Sequence, residues 1–494
     1  MAAGNLSESV EQGDEVTLRV MVDKEINKVV YAEAGKDFVD ALFSFLTLPL
    51  GTISRLVAKE SDIEAVRFGS LSTLYQSVSD LDEHYLWSNT CKEMLLNPRN
   101  SMEAYCQQLK LNIDDTPAQY FTCKDWQSCR GFINGSRVTT YRNQKCICGR
   151  LLNKAASVKT DLTPVANGFV KETATFIIRD DLCVIPNDLG TSLHLLQTHG
   201  LNDIADVEKK TLVINKKEVV DLLKLSLHSK TPLTDFIFKK EKILGNSNPT
   251  LRFRIGNGLP SDSNKGMKNM IVKVFLRKSK RKILFATADE DFADFLFSFL
   301  TFPMGGVLQM LEGFSSLSCI DILYKSMTEL NAERCLTSQE LKNKLTKPRI
   351  FANFELKNQI LPIGTCPLTC TFDSGEPAKL VDPKSSLSGG YIKGPLTIMV
   401  TDDLVVTPMS SIDAVSYLER MKVPLNDVEE IFISIGVEEG LSILKASLTS
   451  TSALTNGLKQ YIGSTTVHAS LSSRAASTDI PLYNLKKPKE EKEA

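Results

Sequence analysis

The sequence predicts an α+β protein made of two tandem homologous units. Three observations carry the prediction: a fifteen-residue motif occurs twice, two further blocks recur in the same order, and the hydrophobic period switches between 2 and 3.6 within each recurrence. The motif reads DFVDALFSFLTLPLG at 37–51 and DFADFLFSFLTFPMG at 291–305. At that offset of 254, thirteen of the twenty residues from Ala32 to Gly51 match their counterparts from Ala286 to Gly305. GFVKETATFIIRDDLCVIP (168–186) returns as GYIKGPLTIMVTDDLVVTP (390–408), and EVVDLLKLSLHSKTPLTD (218–235) as EGLSILKASLTSTSALTN (439–456). Ordered blocks at drifting offsets imply one long unit copied whole, with deletions in the second copy.

Each unit opens with a hairpin. Val16, Leu18, Val20 and Val22 alternate onto one face, the polar stretch at 23–27 turns the chain, and residues 28–34 return. A helix follows, with Phe38, Ala41, Leu42, Phe45 and Leu46 on one apolar stripe. Asp37 is expected to cap it, and Asp40 to sit in its first turn, where the helix dipole favours a carboxylate. Leu48-Pro49 ends this helix and begins another that carries Ile53 and Leu56. Phe43 and Phe297 lie beside the stripe and are expected at an interface. A cysteine-bearing loop region comes next, and then a hairpin, helix, strand and helix close the unit. The expected division is a disordered N-terminus at 1–14, a first unit at 15–242, a linker at 243–267, a second unit at 268–462 and a charged, flexible tail at 463–494.

A chain of 494 residues is long enough for two cores. Its net charge of −1 supplies no field to draw it to nucleic acid or acidic lipid, so neither is expected as a partner. The most apolar run, 295–311, is broken by Pro303 to Gly306 and falls short of the ~20 residues that span a bilayer, so no membrane span is expected. The N-terminus lacks the apolar core of a secretion signal, which makes a cytoplasmic protein with reduced thiols or metal-bound cysteines the expectation. The basic cluster at 277–282 would suit nuclear import, but it falls where a hairpin turn is expected and reads better as a solvated turn.

The recurring motif, the stretch KLNIDDTPAQYFTC (110–123), CICG (146–149), the DDL hairpins and SKTPLTD (229–235) together resemble the plant domain-of-unknown-function family numbered six-seven-four. The resemblance covers nearly the whole chain. It implies a plant protein, often built as tandem copies, and brings no activity, substrate or catalytic residue with it.

Cys123, Cys129, Cys146 and Cys148 are the strongest chemical candidate, spaced C-x5-C-x16-C-x-C-G. Four thiolates suit one tetrahedral structural zinc, and Gly149 would let the backbone turn and aim its N–H at a sulfur. Against this, neither pair has the spacing of an ordinary zinc knuckle, and the second unit keeps only Cys366 and Cys370, so reduced thiols or a redox pair are the competing reading. Catalytic zinc is disfavoured because four cysteine ligands leave no place for water. Asp180-Asp181 and Asp402-Asp403 could be paired carboxylates but read as turn residues. Thr231-Pro232 reads as a helix start rather than a phosphate cradle. The five histidines form no metalloprotease pair, and no P-loop, dinucleotide fingerprint or nucleophile elbow occurs. The expected function is therefore a non-catalytic interaction or scaffold protein that binds a protein partner or itself. The alternative is an enzyme or small-ligand binder with its site in the cleft between the units.

Overall fold

The computed structural model describes residues 14–463, apart from 60–62, 115, 117–118, 126–128, 130–135, 143, 161–166, 202 and 239–268. The expected linker, the tail beyond residue 463 and most of the N-terminal stretch therefore lie outside the described residues, as do His468 and residues 130–135 of the cysteine loop. In chain order the strands are β1 (Val16–Asp23), β2 (Lys28–Ala34), β3 (Tyr120–Cys123), β4 (Ser136–Thr139), β5 (Gln144–Lys145), β6 (Leu151–Ala156), β7 (Val158–Thr160), β8 (Phe176–Arg179), β9 (Val184–Pro186) and β10 (Val207–Ile214). They continue as β11 (Met270–Arg277), β12 (Lys282–Asp289), β13 (Ile350–Phe351), β14 (Thr365–Cys366), β15 (Cys370–Phe372), β16 (Pro377–Leu380), β17 (Thr397–Thr401), β18 (Val406–Pro408) and β19 (Val428–Ile435). Described helices of seven residues or more are α1 (Lys36–Ser44), α2 (Leu50–Val57), α3 (Leu71–Asp80), α4 (Asn89–Leu96), α5 (Leu189–Thr198), α6 (Lys216–His228) and α7 (Pro232–Phe238). The later ones are α8 (Glu290–Ser298), α9 (Met304–Met310), α10 (Ser318–Glu329), α11 (Gln339–Thr346), α12 (Ser411–Arg420) and α13 (Val437–Thr449). The class is α+β, as predicted.

Two five-stranded antiparallel sheets share one connectivity, β10-β1-β2-β8-β9 and β19-β11-β12-β17-β18. Their likeness reaches backbone detail. A bulge falls between Met21 and Val22 in one hairpin and between Phe275 and Leu276 in the other. Asn27 and Arg281 both take positive φ in the turns, and Leu182 and Leu404 both adopt φ 64° in the DDL turns. The expected hydrophobic faces are present: Val16, Leu18, Val20 and Val22 are buried, as are Phe38, Ala41, Leu42, Phe45 and Leu46. The basic residues at 277–282 do span the β11–β12 turn.

The two occurrences of the motif meet each other. Leu50 N–H donates to the Phe302 carbonyl (2.9 Å) and Met304 N–H to that of Leu48 (2.9 Å), on either side of a Pro49–Pro303 bridge. Helices are exchanged across this contact. The Ser77 hydroxyl on α3 accepts from Val406 N–H of β18 (3.1 Å), and the Ser326 hydroxyl on α10 accepts from Val184 N–H of β9 (3.0 Å). Isolated bridges Leu86–Ile392 and Val170–Leu336 repeat the reciprocity. One continuous apolar cluster runs through both halves of the chain and contains Phe43 and Phe297. Both rings are fully buried, which corrects their expected place at an interface: the helix is wrapped on every side, so its flank is core as well as its stripe.

Asp37 and Asp40 also differ from expectation. Gly35 occupies the N-cap of α1, and no side chain caps that helix. Asp40 is buried, and its Oδ1 accepts the N–H groups of Phe169 and Val170 (both 2.9 Å). Asp294 does the same for Tyr391 (2.8 Å) and Ile392 (2.9 Å). The preceding glycines, Gly168 and Gly390, are required because a Cβ at either would collide with the aspartate Oδ2. Burial raises Asp40 to about 6, moderated by the charge of Lys36, and raises Asp294 to about 7.

An unfolded aspartate titrates near 3.9, so between about pH 4 and 7 the folded protein holds a proton that the unfolded chain has released. Stability is therefore expected to fall as pH rises through this window, by up to a few kcal/mol from Asp294. Urea midpoints measured from pH 5 to 8 should decline in the wild type and flatten in Asp294→Asn, which keeps the acceptor oxygen without the charge. Asp294→Ala should cost about 2–4 kcal/mol near pH 5, because two buried N–H groups lose their acceptor, and less as pH rises and the wild type itself weakens. An unchanged pH profile in the Asn variant would refute this account.

Candidate metal centre

The third large sheet has strand order β5-β6-β3-β4-β16-β15-β7 and mixes strands from both halves of the chain. Only Ser157 separates β6 from β7. That continuous strand pairs with β3 at one end and β15 at the other, which closes the pairing into a small barrel. Its interior is built from Tyr120, Val138, Cys370, Phe372 and Ala378, with Ala156, Val158 and Leu380 packed against them.

The four predicted cysteines converge at one end of this barrel. Cys123 is the last residue of β3, and Cys146 follows β5, which pairs with β6. A tight turn presents Cys146 and Cys148: Cys146 N–H donates to the Arg150 carbonyl (2.7 Å) and Gly149 N–H to the Cys146 carbonyl (2.9 Å). Gly149 takes φ +81°, a conformation glycine adopts without penalty. Its N–H thus serves the turn, and the N–H bonded to the Cys148 sulfur comes instead from Arg150. Cys129 N–H donates to the Asp125 carbonyl (3.1 Å), and Asp125 pairs with Arg150, which ties the first cysteine loop to the second.

All four Sγ atoms lie within 4.8 Å of one another. Cys123 is 3.6 Å from Cys148, and Cys129 is 3.8 Å from Cys146. A tetrahedral zinc with ~2.3 Å bonds would hold its sulfurs about 3.8 Å apart, so the spacing fits that ion. Three of the cysteines are buried and Cys148 is exposed. Burial pushes the Cys123 and Cys129 thiols up, whereas the Arg150 N–H brings Cys148 down to about 7. Such a set can bind a cation and offers no open position for substrate.

The remaining candidates are structural. Cys366 bonds the Ile350 carbonyl and Cys370 faces the barrel interior, so the two do not join the cluster. Burial raises Cys91 to about 11 and both Cys106 and Cys319 to about 12, as for inert core thiols. Asp180 accepts Thr234 N–H (2.9 Å) and hydroxyl (2.7 Å), and Asp402 accepts Thr455 N–H (2.7 Å). These carboxylates anchor helix starts from the turns in which they were expected. Pro232 takes the first position of α7, also as expected. Among the described residues, no histidine joins a metal-ligating cluster, and no helix is long and apolar enough to cross a membrane. A groove of about 780 Å³ lies between α3, β18 and α12, lined by Gln76, Asp80, Tyr85, Met409, Tyr417 and Arg420 among others.

Residues 12–438 match the family described as "Protein of unknown function (DUF674)". The chain belongs to the DUF674 family. No curated protein and no solved structure matches it. What can be said of this DUF674 chain's chemistry therefore comes from its own side chains, and the cysteine cluster is the one group among the described residues with the composition and spacing of a metal site.

The turn at Gly149 gives a direct check. No atom lies within 4 Å of a Cβ placed there, so Gly149→Ala should suffer only from its positive φ. A loss of about 1 kcal/mol is expected, and less in Gly149→Asn, by chemical denaturation. A loss several times larger would mean that the methyl group meets something in the folded protein.

Proposed function

We propose that this is a duplicated, non-catalytic interaction or scaffold protein of the plant cytoplasm, with one structural zinc held by Cys123, Cys129, Cys146 and Cys148. The duplication reading, with units at 15–242 and 268–462, is supported by paired bulges, paired positive-φ turns and reciprocal contacts. One observation carries the non-catalytic reading: the recurring buried aspartates each accept backbone N–H groups. Asp40, Asp294, Asp180 and Asp402 are committed to the fold, which leaves them poorly placed for proton transfer to a substrate. Structural zinc requires thiolates, and the cytoplasm keeps them reduced.

Partner binding fits the exposed apolar side chains on α5 and α12 and beyond them: Leu193 and Ile204 in one half, Val415 and Leu425 in the other. Leu193→Glu with Val415→Glu should leave unfolding free energy within ~0.5 kcal/mol of wild type. It should abolish self-association or partner binding, followed by light scattering and by co-purification from source tissue. Association unchanged in a folded variant would refute this use of the surface. Metal analysis of protein purified under reducing conditions should find about one zinc per chain, lost in Cys146→Ser. Less than about half an equivalent in the wild type would overturn the metal reading.

A small-ligand binder is the second reading, favoured by the groove between α3 and α12. Polar groups from distant parts of the chain converge there, including Gln76 and Asp80 with Tyr417 and Arg420. Ligand-induced stabilisation that Arg420→Ala removes would decide for it.

A further inference from the structure

Resting on the metal reading above, we infer that metal loading of the cysteine cluster governs the docking of the β15–β16 hairpin, and so fastens the two halves of the chain together at the barrel. The hairpin sits between two strands from the N-terminal half. On one side β16 pairs in parallel with β4 through Ala378–Ser136, Lys379–Arg137 and Leu380–Val138. On the other, β15 pairs with β7 through Cys370–Thr160, Thr371–Lys159 and Phe372–Val158. Each seam is three residue pairs long, and strands this short hold only when their neighbours are fixed.

The neighbour on the β16 side is weakly fixed by the sheet itself. β4 is joined to β3 by only two residue pairs, Phe121–Thr139 and Thr122–Val138. The chain between β3 and β4 contains Cys129, and Cys123 ends β3 opposite Leu152 of β6. A metal on the four sulfurs would therefore tie Cys123, at the end of β3, and Cys129 to the β5–β6 turn, and so steady the strand on which β4 pairs. The cluster also touches the C-terminal half directly. Val381, just beyond β16, donates its N–H to the Val138 carbonyl (2.9 Å), and its side chain packs against Cys123, Cys129, Cys146 and Leu152. The cysteine cluster is thus the floor of a barrel whose wall is completed by the other half. Coupling must run both ways: if zinc favours the docked hairpin, the docked hairpin favours zinc by the same factor.

The test uses the full chain under reducing conditions, zinc-loaded and then chelated, with hydrogen exchange followed by mass spectrometry. Chelation should raise exchange at least about tenfold across 370–381 as well as 120–156, while β11–β12 stays protected. Zinc binding should also weaken several-fold in Phe372→Ala, whose truncated ring belongs to the barrel interior and not to the ligand set. Should zinc bind and its removal alter 120–156 without altering 370–381, the inference fails and the metal reading stands. Unchanged zinc affinity in a folded Phe372→Ala would likewise overturn it. Failure of the wild type to bind zinc at all would remove both.

Discussion

The backbone contact between Leu48–Leu50 and Phe302–Met304 is the constraint on which the remaining architecture depends. Two reciprocal hydrogen bonds and a third, from Gly305 N–H to the Leu46 carbonyl (2.7 Å), hold two helix junctions face to face. Pro49 and Pro303 have no N–H to offer, so each junction exposes its carbonyls and the neighbouring N–H to the other. Close approach favours Gly51 and Gly305, since a Cβ on either would lie a tight 3.0 Å from a carbonyl oxygen of the opposite junction, Leu300 or Leu46. With the junctions locked, the helices that follow are carried over to the far sheet. That is why α3 reaches β18 and α10 reaches β9. The apolar cluster shared by both halves follows from this exchange, because each sheet is covered partly by helices from the other half.

The aspartate clamps solve a problem created by the same exchange. Segments 169–170 and 391–392 lie outside the two five-stranded sheets and meet Leu336 and Leu86 only through isolated bridges, so some of their N–H groups need an acceptor other than a strand. A buried N–H without an acceptor costs about 1–3 kcal/mol, and one carboxylate oxygen serves two at once. Desolvation opposes the charge, which is why Asp294, with the like charges of Asp291 and Glu290 nearby, is driven higher than Asp40, which Lys36 accompanies. The clamp works with a neutral carboxyl as well as with an ionised one. It is a fastening, and its acidity is a by-product of where it sits.

Local features were legible in the sequence because their signals are local. Alternation at 16–22, the stripe from Phe38 to Leu46 and the DDL turns are written in neighbouring residues, and each appears where expected. The role of Asp40 was not legible from helix rules, since its partners lie about 130 residues away. A signal did exist: an aspartate and a glycine, Asp40 with Gly168 and Asp294 with Gly390, recur together in both halves. The burial of Phe43 and Phe297 was hidden for the same reason, because helix periodicity shows one face and says nothing of what covers the other. The four cysteines could be grouped by composition alone. Their meeting depends on β3, β5 and β6 sharing one sheet, and the contribution of Val381 depends on a strand from the far half.

That last dependence accounts for the asymmetry of the cysteines. If the two halves arose by copying, symmetry would lead one to expect a second cysteine floor beneath a second barrel. The structure instead builds one barrel from β3, β4 and β6–β7 of one half and the β15–β16 hairpin of the other. The β15–β16 hairpin, which carries Cys370, serves as barrel wall, with Cys370 buried among Tyr120, Val138 and Phe372. The cluster sits where β3 ends at Cys123, beside Leu152 of β6 and Val381 beyond β16. Among the described residues the strands of this barrel come from both halves, so a cysteine cluster in one half alone fits how the barrel is shared.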